Sequence, residues 1–302
     1  MVTEAARIAE EIAGDFYGGG LDLSARGVRS APGWADMPEV ACAGACRRDG
    51  VDETTVRRLL TLVSAMDRAR DAERLWRAGY ELLSAHPEAF DPSAVAAMPI
   101  ERLSALLAGS GVSQRHGPDS RAWQTISRSL TTGTGSVRGI VEHGSGDADA
   151  LLVDLRSVDR SGQPKFPLLR GPKVGPMWVR IMANPGGASV HGIERIPVAV
   201  DVHVRRVTRN LGVAATPETG GKRAIEAAWH SAVSAGDVPG PSGIEGTCAG
   251  LDPALWFYGK HGCRHCETVS RPSPIGTACR RCVRFKLRDD VAQPPRGGGR
   301  AR

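Results

Sequence analysis

The sequence of 302 residues predicts an all-α fold. Apolar residues recur at helical spacing in one segment after another, and short Gly- and Pro-rich stretches separate these segments. No segment sustains the alternation of apolar and polar residues that is typical of a half-buried strand. A chain of successive helices with short breaks buries its apolar faces by packing helix on helix, so we expect a helical bundle.

The first half of the chain contains several segments with this helical pattern. Residues 53–85 have a helical pattern, in which Val56, Leu59, Leu60 and Val63 form one apolar face. The other predicted elements are helices at 99–107 and 118–130, a Gly/Thr/Ser-rich loop at 131–146 and an apolar run at 151–158. Residues 1–50 are broken by Gly and Pro, and we interpret them as a poorly defined N-terminal extension.

The second half continues the helical pattern and ends in a basic tail. Residues 177–182 are apolar enough to form a buried helix, and further helices are predicted at 222–235 and 252–259. The stretch 237–250 is rich in Pro and Gly and is predicted to be a loop. Residues 291–302 are basic and of low complexity, which is typical of disorder.

Composition and charge restrict the class of protein. The chain is 41% apolar and 24% charged, as is ordinary for globular proteins, and no apolar run approaches the roughly 18 residues of a membrane helix. An apolar leader is absent near the N-terminus, so we expect a cytoplasmic, nucleoid-associated protein. The net charge of +6 arises within residues 280–302, which hold eight Arg or Lys and two acids. A solvated tail explains this charge as well as nucleic-acid binding does.

A short turn precedes the predicted helix at 177–182. It reads Leu-Arg-Gly-Pro-Lys-Val-Gly from Leu169 to Gly175. Gly171 and Gly175 can adopt backbone angles that other residues avoid, so we predict a tight turn whose amides face outward. Free N–H groups at the start of a helix bind phosphate oxygens, which makes the amides of Gly171, Val174 and Gly175 candidate phosphate contacts. Pro172, which has no N–H, is a candidate DNA-binding residue as part of the same turn.

Asp201 opens the next predicted helix. Val204, Val207 and Leu211 follow it at the i, i+3, i+7 spacing of one helical face. Asp is a favoured N-cap residue, so a purely structural role accounts for its position. A carboxylate with a reactive role is the alternative, and the two roles are compatible because a cap fixes the direction of the side chain.

Five of the seven cysteines lie between residues 248 and 282. Four of them form two C-x2-C pairs separated by twelve residues, and paired thiolates of this kind bind Zn²⁺ tetrahedrally. We therefore predict one metal site, with zinc as the metal, made by Cys263, Cys266, Cys279 and Cys282. The neighbouring Arg264, Arg280 and Arg281 are candidate phosphate contacts.

Three features in this order resemble the helix-hairpin-helix DNA glycosylases of the endonuclease III superfamily. They are the turn, the Val-Asp-Val-His motif at Asp201 and the downstream cysteines. The resemblance covers about residues 51–282. It implies a two-lobed helical domain at 51–262 and a four-cysteine metal loop at 263–290. Family members hold a [4Fe–4S] cluster with a spacing of roughly C-x6-C-x2-C-x5-C. This chain departs from that spacing, so a cluster in an altered loop, with Cys248 as a further candidate ligand, remains the alternative to zinc.

The resemblance also implies an activity, the removal of a damaged or mispaired base from double-stranded DNA by a monomeric enzyme. Asp201 corresponds to the catalytic aspartate, and Met66 stands where a Gln of the family fills the gap left by the flipped base. Met66 as a core residue is the simpler interpretation. The rival function is a non-catalytic DNA-binding protein that uses the hairpin and the metal loop for backbone contacts.

Whether the enzyme also cuts the abasic site depends on the register of the hairpin. In one register Lys173 is the amine nucleophile of a bifunctional glycosylase and lyase. In the two others Met177 or Gly175 occupies the nucleophile position, and the enzyme only releases the base. All three registers remain open at the level of the sequence.

Overall fold

The computed structural model of the chain describes residues 2–24, 33–214 and 217–284. These residues form mainly helices, so the predicted all-α class is confirmed. The α-helices are α1 Glu4–Tyr17, α2 Pro38–Arg48, α3 Glu53–Met66, α4 Ala72–Ala85, α5 Pro92–Ala97, α6 Ile100–Gly109, α7 His116–Thr132, α8 Ser136–His143, α9 Ala148–Leu155, α10 Val174–Ala183, α11 Val202–Asn210, α12 Pro217–Ser234, α13 Cys248–Phe257 and α14 Arg264–Val269.

Shorter elements connect these helices. Turns of 3-10 helix occur at Trp34–Asp36, Pro87–Phe90, Ile193–Arg195 and Thr277–Arg281, and a π-helical segment spans Tyr258–Cys263. Two strands, β1 Ser145–Asp147 and β2 Ser189–His191, pair in parallel with Ser145 opposite Ser189. The absence of longer strands among the described residues agrees with the lack of strand alternation in the sequence.

The chain divides into two compact units, and their boundaries differ from those expected from the sequence. The terminal unit comprises the described residues of Met1–Pro32, Val200–Pro239 and Leu251–Arg302. The central unit comprises Gly33–Ala199 and Gly240–Gly250. Both ends of the chain therefore contribute to one unit, whereas the sequence suggested consecutive domains at 51–262 and 263–290.

The central unit is built around buried helices α3, α7 and α10. Two indole N–H groups are satisfied inside this core: Trp178 donates to the hydroxyl of Thr61 (3.1 Å) and Trp123 to the carbonyl of Ala89 (2.9 Å). A buried ion pair between Arg180 of α10 and Glu39 of α2, 2.8 Å long, ties these two helices together. The apolar face predicted for 53–63 is completely buried in this core.

Helix α1 corrects the expectation of a poorly defined N-terminal extension. Ile8, Ile12 and Phe16 of α1 are buried, and α1 packs against α12 in the terminal unit. Thr3 caps the helix by accepting a hydrogen bond from the amide of Ala6. Their i, i+4, i+8 spacing is that of one helical face, whereas the helix that covers this face, α12, is distant in sequence.

Helix α8 corrects the predicted loop at 131–146. Val137, Ile140 and Val141 lie at the i, i+3, i+4 spacing of a buried face and are completely buried. Because Gly, Ser and Thr residues surround these three apolar residues, the sequence alone predicts a loop here. Gly144 ends α8 in the left-handed conformation (φ 71°), which glycine adopts without strain.

The predicted disordered tail at 291–302 lies outside the described residues. No helix in the described part of the chain is long and apolar enough to span a membrane.

Candidate functional site

The turn Leu169–Gly175 connects the loop after α9 to the start of α10 in the central unit. The amide of Gly175 donates to the carbonyl of Gly171 (2.9 Å) and that of Met177 to the carbonyl of Lys173 (3.3 Å). Pro176 has no amide N–H. The first turn of α10 therefore offers fewer free amides to a phosphate than the sequence suggested.

The glycines of this turn serve packing rather than unusual backbone angles. The left-handed position in the segment is Leu168 (φ 71°), whereas neither Gly171 nor Gly175 has a positive φ, which corrects the prediction. A Cβ at Gly175 would meet Leu152 of α9 at 3.4 Å, so glycine lets α10 approach α9 closely. A Cβ at Gly171 would meet no atom within 4 Å, and Pro172 is exposed, so this edge of the turn is open.

Lys173 is the N-cap residue of α10, and its ammonium has a partner that no local sequence pattern indicated. Its Nζ donates to the carboxylate of Asp67 at 3.5 Å. Asp67 is the C-cap residue of α3, directly after Met66. The Nζ of Lys173 is thus held by a carboxylate of its own unit, and an attack on a carbon atom would first have to break this contact. The contact does not favour the hypothesis of a nucleophilic Lys173.

Met66 is 3% exposed and belongs to the hydrophobic core of the central unit. A side chain packed in this way stabilises its own fold. The hypothesis that Met66 wedges into a duplex is therefore corrected, because its side chain is buried in the core and is not free to enter a base stack.

Asp201 is half-buried and caps α11 in the terminal unit. Its Oδ1 accepts hydrogen bonds from the amides of His203 (2.7 Å) and Val204 (2.9 Å). Its Oδ2 accepts no hydrogen bond from the described part of the chain. One oxygen is thus fixed by the helix, and the other is available for a ligand or a water molecule.

His203 lies beside this cap. Burial lowers the pKa of His203 below its ordinary value of 6.5, and the nearby carboxylate of Asp201 offsets this only in part. Its Nδ1 is 3.2 Å from Nη1 of Arg206, and its ring meets the ring of Trp256 edge-on, with the centroids 5.8 Å apart. A neutral imidazole can accept from Arg206, so His203 helps to fix the start of α11.

The four cysteines of the two C-x2-C pairs line one cavity of about 230 Å³ in the terminal unit. Burial raises the pKa of the Cys263, Cys266 and Cys279 thiols. Cys248 belongs to the central unit and does not line this cavity. The sequence prediction that the four cysteines come together is therefore consistent with their placement.

The placement does not support a single zinc ion. Zn–S bonds of about 2.3 Å require tetrahedral sulfurs roughly 3.8 Å apart. Among the described residues, no group of three or more His, Cys, Asp or Glu side chains is close enough to hold one metal ion. An iron–sulfur cluster is bound by one thiolate at each of several irons, and four cysteines that line one cavity are the ligand set of such a cluster.

Hydrogen bonds and ion pairs attach α1 to the segment that carries the second cysteine pair. Oδ2 of Asp15 accepts hydrogen bonds from the hydroxyl of Tyr258 (2.5 Å) and from the amide (2.6 Å) and hydroxyl (2.8 Å) of Thr277. Arg281 forms ion pairs with Glu4 and Glu11, each 2.6 Å long. The N-terminal helix therefore helps to position Cys279 and Cys282.

These ion pairs correct one predicted phosphate contact. Because Arg281 is engaged by two carboxylates of α1, its charge is largely balanced within the protein. Arg264 and Arg280 are exposed and remain candidates. Glu267 similarly balances arginines of α11 and of the C-terminal segment, with ion pairs to Arg206 (2.9 Å) and Arg284 (2.8 Å).

The candidate residues are thus distributed between the two units. The hairpin with Lys173 and Met66 belongs to the central unit, whereas Asp201 and the four cysteines belong to the terminal unit. Asp67 and Asp15 were not predicted from the sequence. No local pattern indicated either role, because Lys173 lies 106 residues from Asp67 and Tyr258 lies 243 residues from Asp15.

The chain is similar in structure to a DNA-bound protein of known fold. No family model matches the chain, and no curated protein matches it. Among solved structures, the chain is similar to a trapped endonuclease III–DNA covalent intermediate, described as an estranged-adenine complex. The identity is 16%, the match covers 76% of this chain and 84% of that chain, and the TM-score is 0.49.

Proposed function

We propose that the protein is a DNA N-glycosylase that removes a damaged or mispaired base. The observation that carries this proposal is the state of Asp201. Its Oδ1 is fixed by two amides of α11, and its Oδ2 accepts no hydrogen bond from the described residues. A non-catalytic DNA-binding protein would use this carboxylate only as a helix cap, whereas a glycosylase can also use the second oxygen to stabilise a cation-like sugar.

The reaction follows from the chemistry of the N-glycosidic bond. The target nucleotide leaves the base stack, and the bond between C1′ and the base nitrogen breaks, with the electron pair leaving on the base. Positive charge develops on the sugar, and a carboxylate close to C1′ stabilises it. Water then adds its oxygen to C1′, and Oδ2 of Asp201 accepts the proton that the water loses. A fixed carboxylate needs little reorganisation during this step.

We assign no nucleophilic role to Lys173. Its Nζ is engaged by Asp67, and this ion pair links the start of α10 to the end of α3. Of the three registers, those that give a glycosylase without lyase activity agree better with this contact. The cation at Lys173 then contributes positive charge beside the hairpin and holds it against α3.

We further propose that Cys263, Cys266, Cys279 and Cys282 hold a [4Fe–4S] cluster rather than zinc. The support is the cavity of about 230 Å³ that all four cysteines line, together with the resemblance of the motif order to a family that holds such a cluster. When bound, such a group would order the segment between α14 and Arg281. Its role in this proposal is structural, and the base-excision step does not involve it.

The proposed function is tested with a panel of duplexes that each carry one damaged or mispaired base. Each duplex is incubated with the protein in the presence and absence of borohydride, which reduces an imine between an amine and C1′. We expect release of at least one base without a trapped covalent complex. Binding of these duplexes without any base release would instead favour the non-catalytic alternative. A trapped complex that disappears in Lys173→Gln would establish the bifunctional register.

A further inference from the structure

A second basic region lies in the central unit, beside the hairpin. One side of α7 from Pro118 to Thr132, the start of α8 and the loop before the hairpin line a cleft of about 700 Å³. Its cationic side chains are Arg121, Arg128, Arg138 and Lys165. The motifs that suggested DNA binding do not include any of these residues.

The cations of this cleft are not balanced by ion pairs. None of the four forms a salt bridge with a carboxylate in the described ranges. Arg128 donates to the amide oxygen of Gln124 (2.9 Å) and Arg138 to the carbonyl of Gly133 (3.1 Å), which are neutral acceptors. The Nε of Arg138 is enclosed and has no partner in the described structure. The cleft thus retains positive charge and free donors.

Two carboxylates also line the cleft, but the protein already uses them. Asp154 accepts hydrogen bonds from the amide of Val137 (2.9 Å) and the hydroxyl of Ser157 (3.3 Å). Asp159 accepts from the amides of Ser161 (2.8 Å) and Gln163 (2.9 Å). Both carboxylates therefore stabilise local turns, and four cations against two anions leave a net charge of +2.

The cleft continues directly into the hairpin. Its wall includes Phe166, Pro167 and Leu168, and the next residue, Leu169, begins the turn. Ser129 of α7 donates to the carbonyl of Lys165 (3.0 Å), which attaches this loop to α7. The cleft and the turn are thus consecutive along the chain and belong to the same unit.

We propose that this cleft binds the phosphodiester backbone of the same duplex, on the side of the hairpin away from α10. The ligand class is a backbone phosphate, recognised by guanidinium and ammonium groups without regard to base sequence. The inference rests on the proposed function, because it takes the partner of the hairpin to be DNA. It adds a second contact region to the footprint, distinct from Asp201 and from the cysteine segment.

The test compares two double variants of equal charge change. Arg121→Gln/Arg128→Gln removes two cations of the cleft, and the control Arg74→Gln/Arg77→Gln removes two exposed cations of α4 in the same unit. All four side chains are exposed, so both variants should fold, which thermal unfolding verifies. Binding to a duplex with an uncleavable abasic analogue is measured over a range of salt concentrations.

We expect the log–log salt slope of the cleft variant to fall by about 0.9 for each phosphate interaction that the substitutions remove. The control should keep the wild-type slope. Equal slopes for wild type and the cleft variant would overturn the inference, even if wild type excises bases. A reduced slope in the cleft variant supports phosphate binding by the cleft. If the slope is reduced but no duplex releases a base, only the proposed glycosylase activity is contradicted.

Discussion

Asp201 illustrates how one residue serves two purposes. As a helix cap it satisfies two amides of α11 through Oδ1, and this role could be predicted from its position before an apolar helical face. The availability of Oδ2 could not be predicted, because it depends on side chains distant in sequence. The ion pair of Lys173 could not be predicted either, because its partner Asp67 is 106 residues away and no local pattern indicated it.

His203 provides a prediction of pH dependence at the same scale. Its pKa is lowered in the folded protein, chiefly by burial, so the unfolded chain binds a proton more readily. The wild-type protein should therefore lose stability as the pH falls below the ordinary histidine value of 6.5. Protonation would also place a second positive charge next to Arg206.

This prediction is measured by urea unfolding of wild type and His203→Gln at pH values on either side of the ordinary histidine value. Both proteins share the same carboxylates, so the difference between their pH slopes isolates His203. We expect wild type to show the steeper loss of unfolding free energy toward low pH. Parallel pH dependences for the two proteins would show that His203 titrates normally in the folded state.

At the scale of elements, helices with a long apolar face were predictable and those that depend on remote partners were not. Helices α3, α10 and α11 lie close to their predicted positions, because their periodicity extends over two or more turns. Helix α8 was missed because only three apolar residues define its buried face. The glycines of the hairpin were recognised, but their packing role was not, because it depends on contact with α9.

The segment 263–282, which carries both C-x2-C pairs, gives a second prediction. If its four thiols hold a [4Fe–4S] cluster, the purified protein should contain iron and sulfide and show a broad absorption band at roughly 400 nm. Cys279→Ser should lose both iron and the band. Cys42→Ala, which alters a cysteine in the core of the central unit, should keep them.

Metal analysis and the absorption spectrum of these three proteins decide the question. Stoichiometric zinc without a visible band would restore the assignment made from the C-x2-C spacing. Absence of both zinc and iron from protein prepared anaerobically would show that these cysteines do not form a metal site.

At the scale of the whole molecule, the chain is assembled discontinuously. The described residues near both ends form the terminal unit, and most of the middle forms the central unit. The order of the motifs was visible in the sequence, but their division between units could not be read from that order. The attachment of α1 to Thr277 and Arg281 depends on contacts between residues 262 and 270 positions apart, which local patterns do not encode.

The central claim is that Asp201 performs base excision rather than only capping a helix. The variant Asp201→Asn tests it selectively, because Asn is as good an N-cap as Asp and should preserve α11. Loss of the charge should reduce the stabilisation of the cation-like sugar, by roughly 10²–10³ in rate if the effect matches that of other electrostatic groups in active sites.

The measurement is the single-turnover rate of base release by wild type and Asp201→Asn on the best duplex of the panel, with affinity for an uncleavable abasic duplex as the control. We predict a rate reduced by about two to three orders of magnitude with nearly unchanged affinity. Release of the base by the Asn variant at the wild-type rate would contradict this claim and leave Asp201 as a helix cap alone.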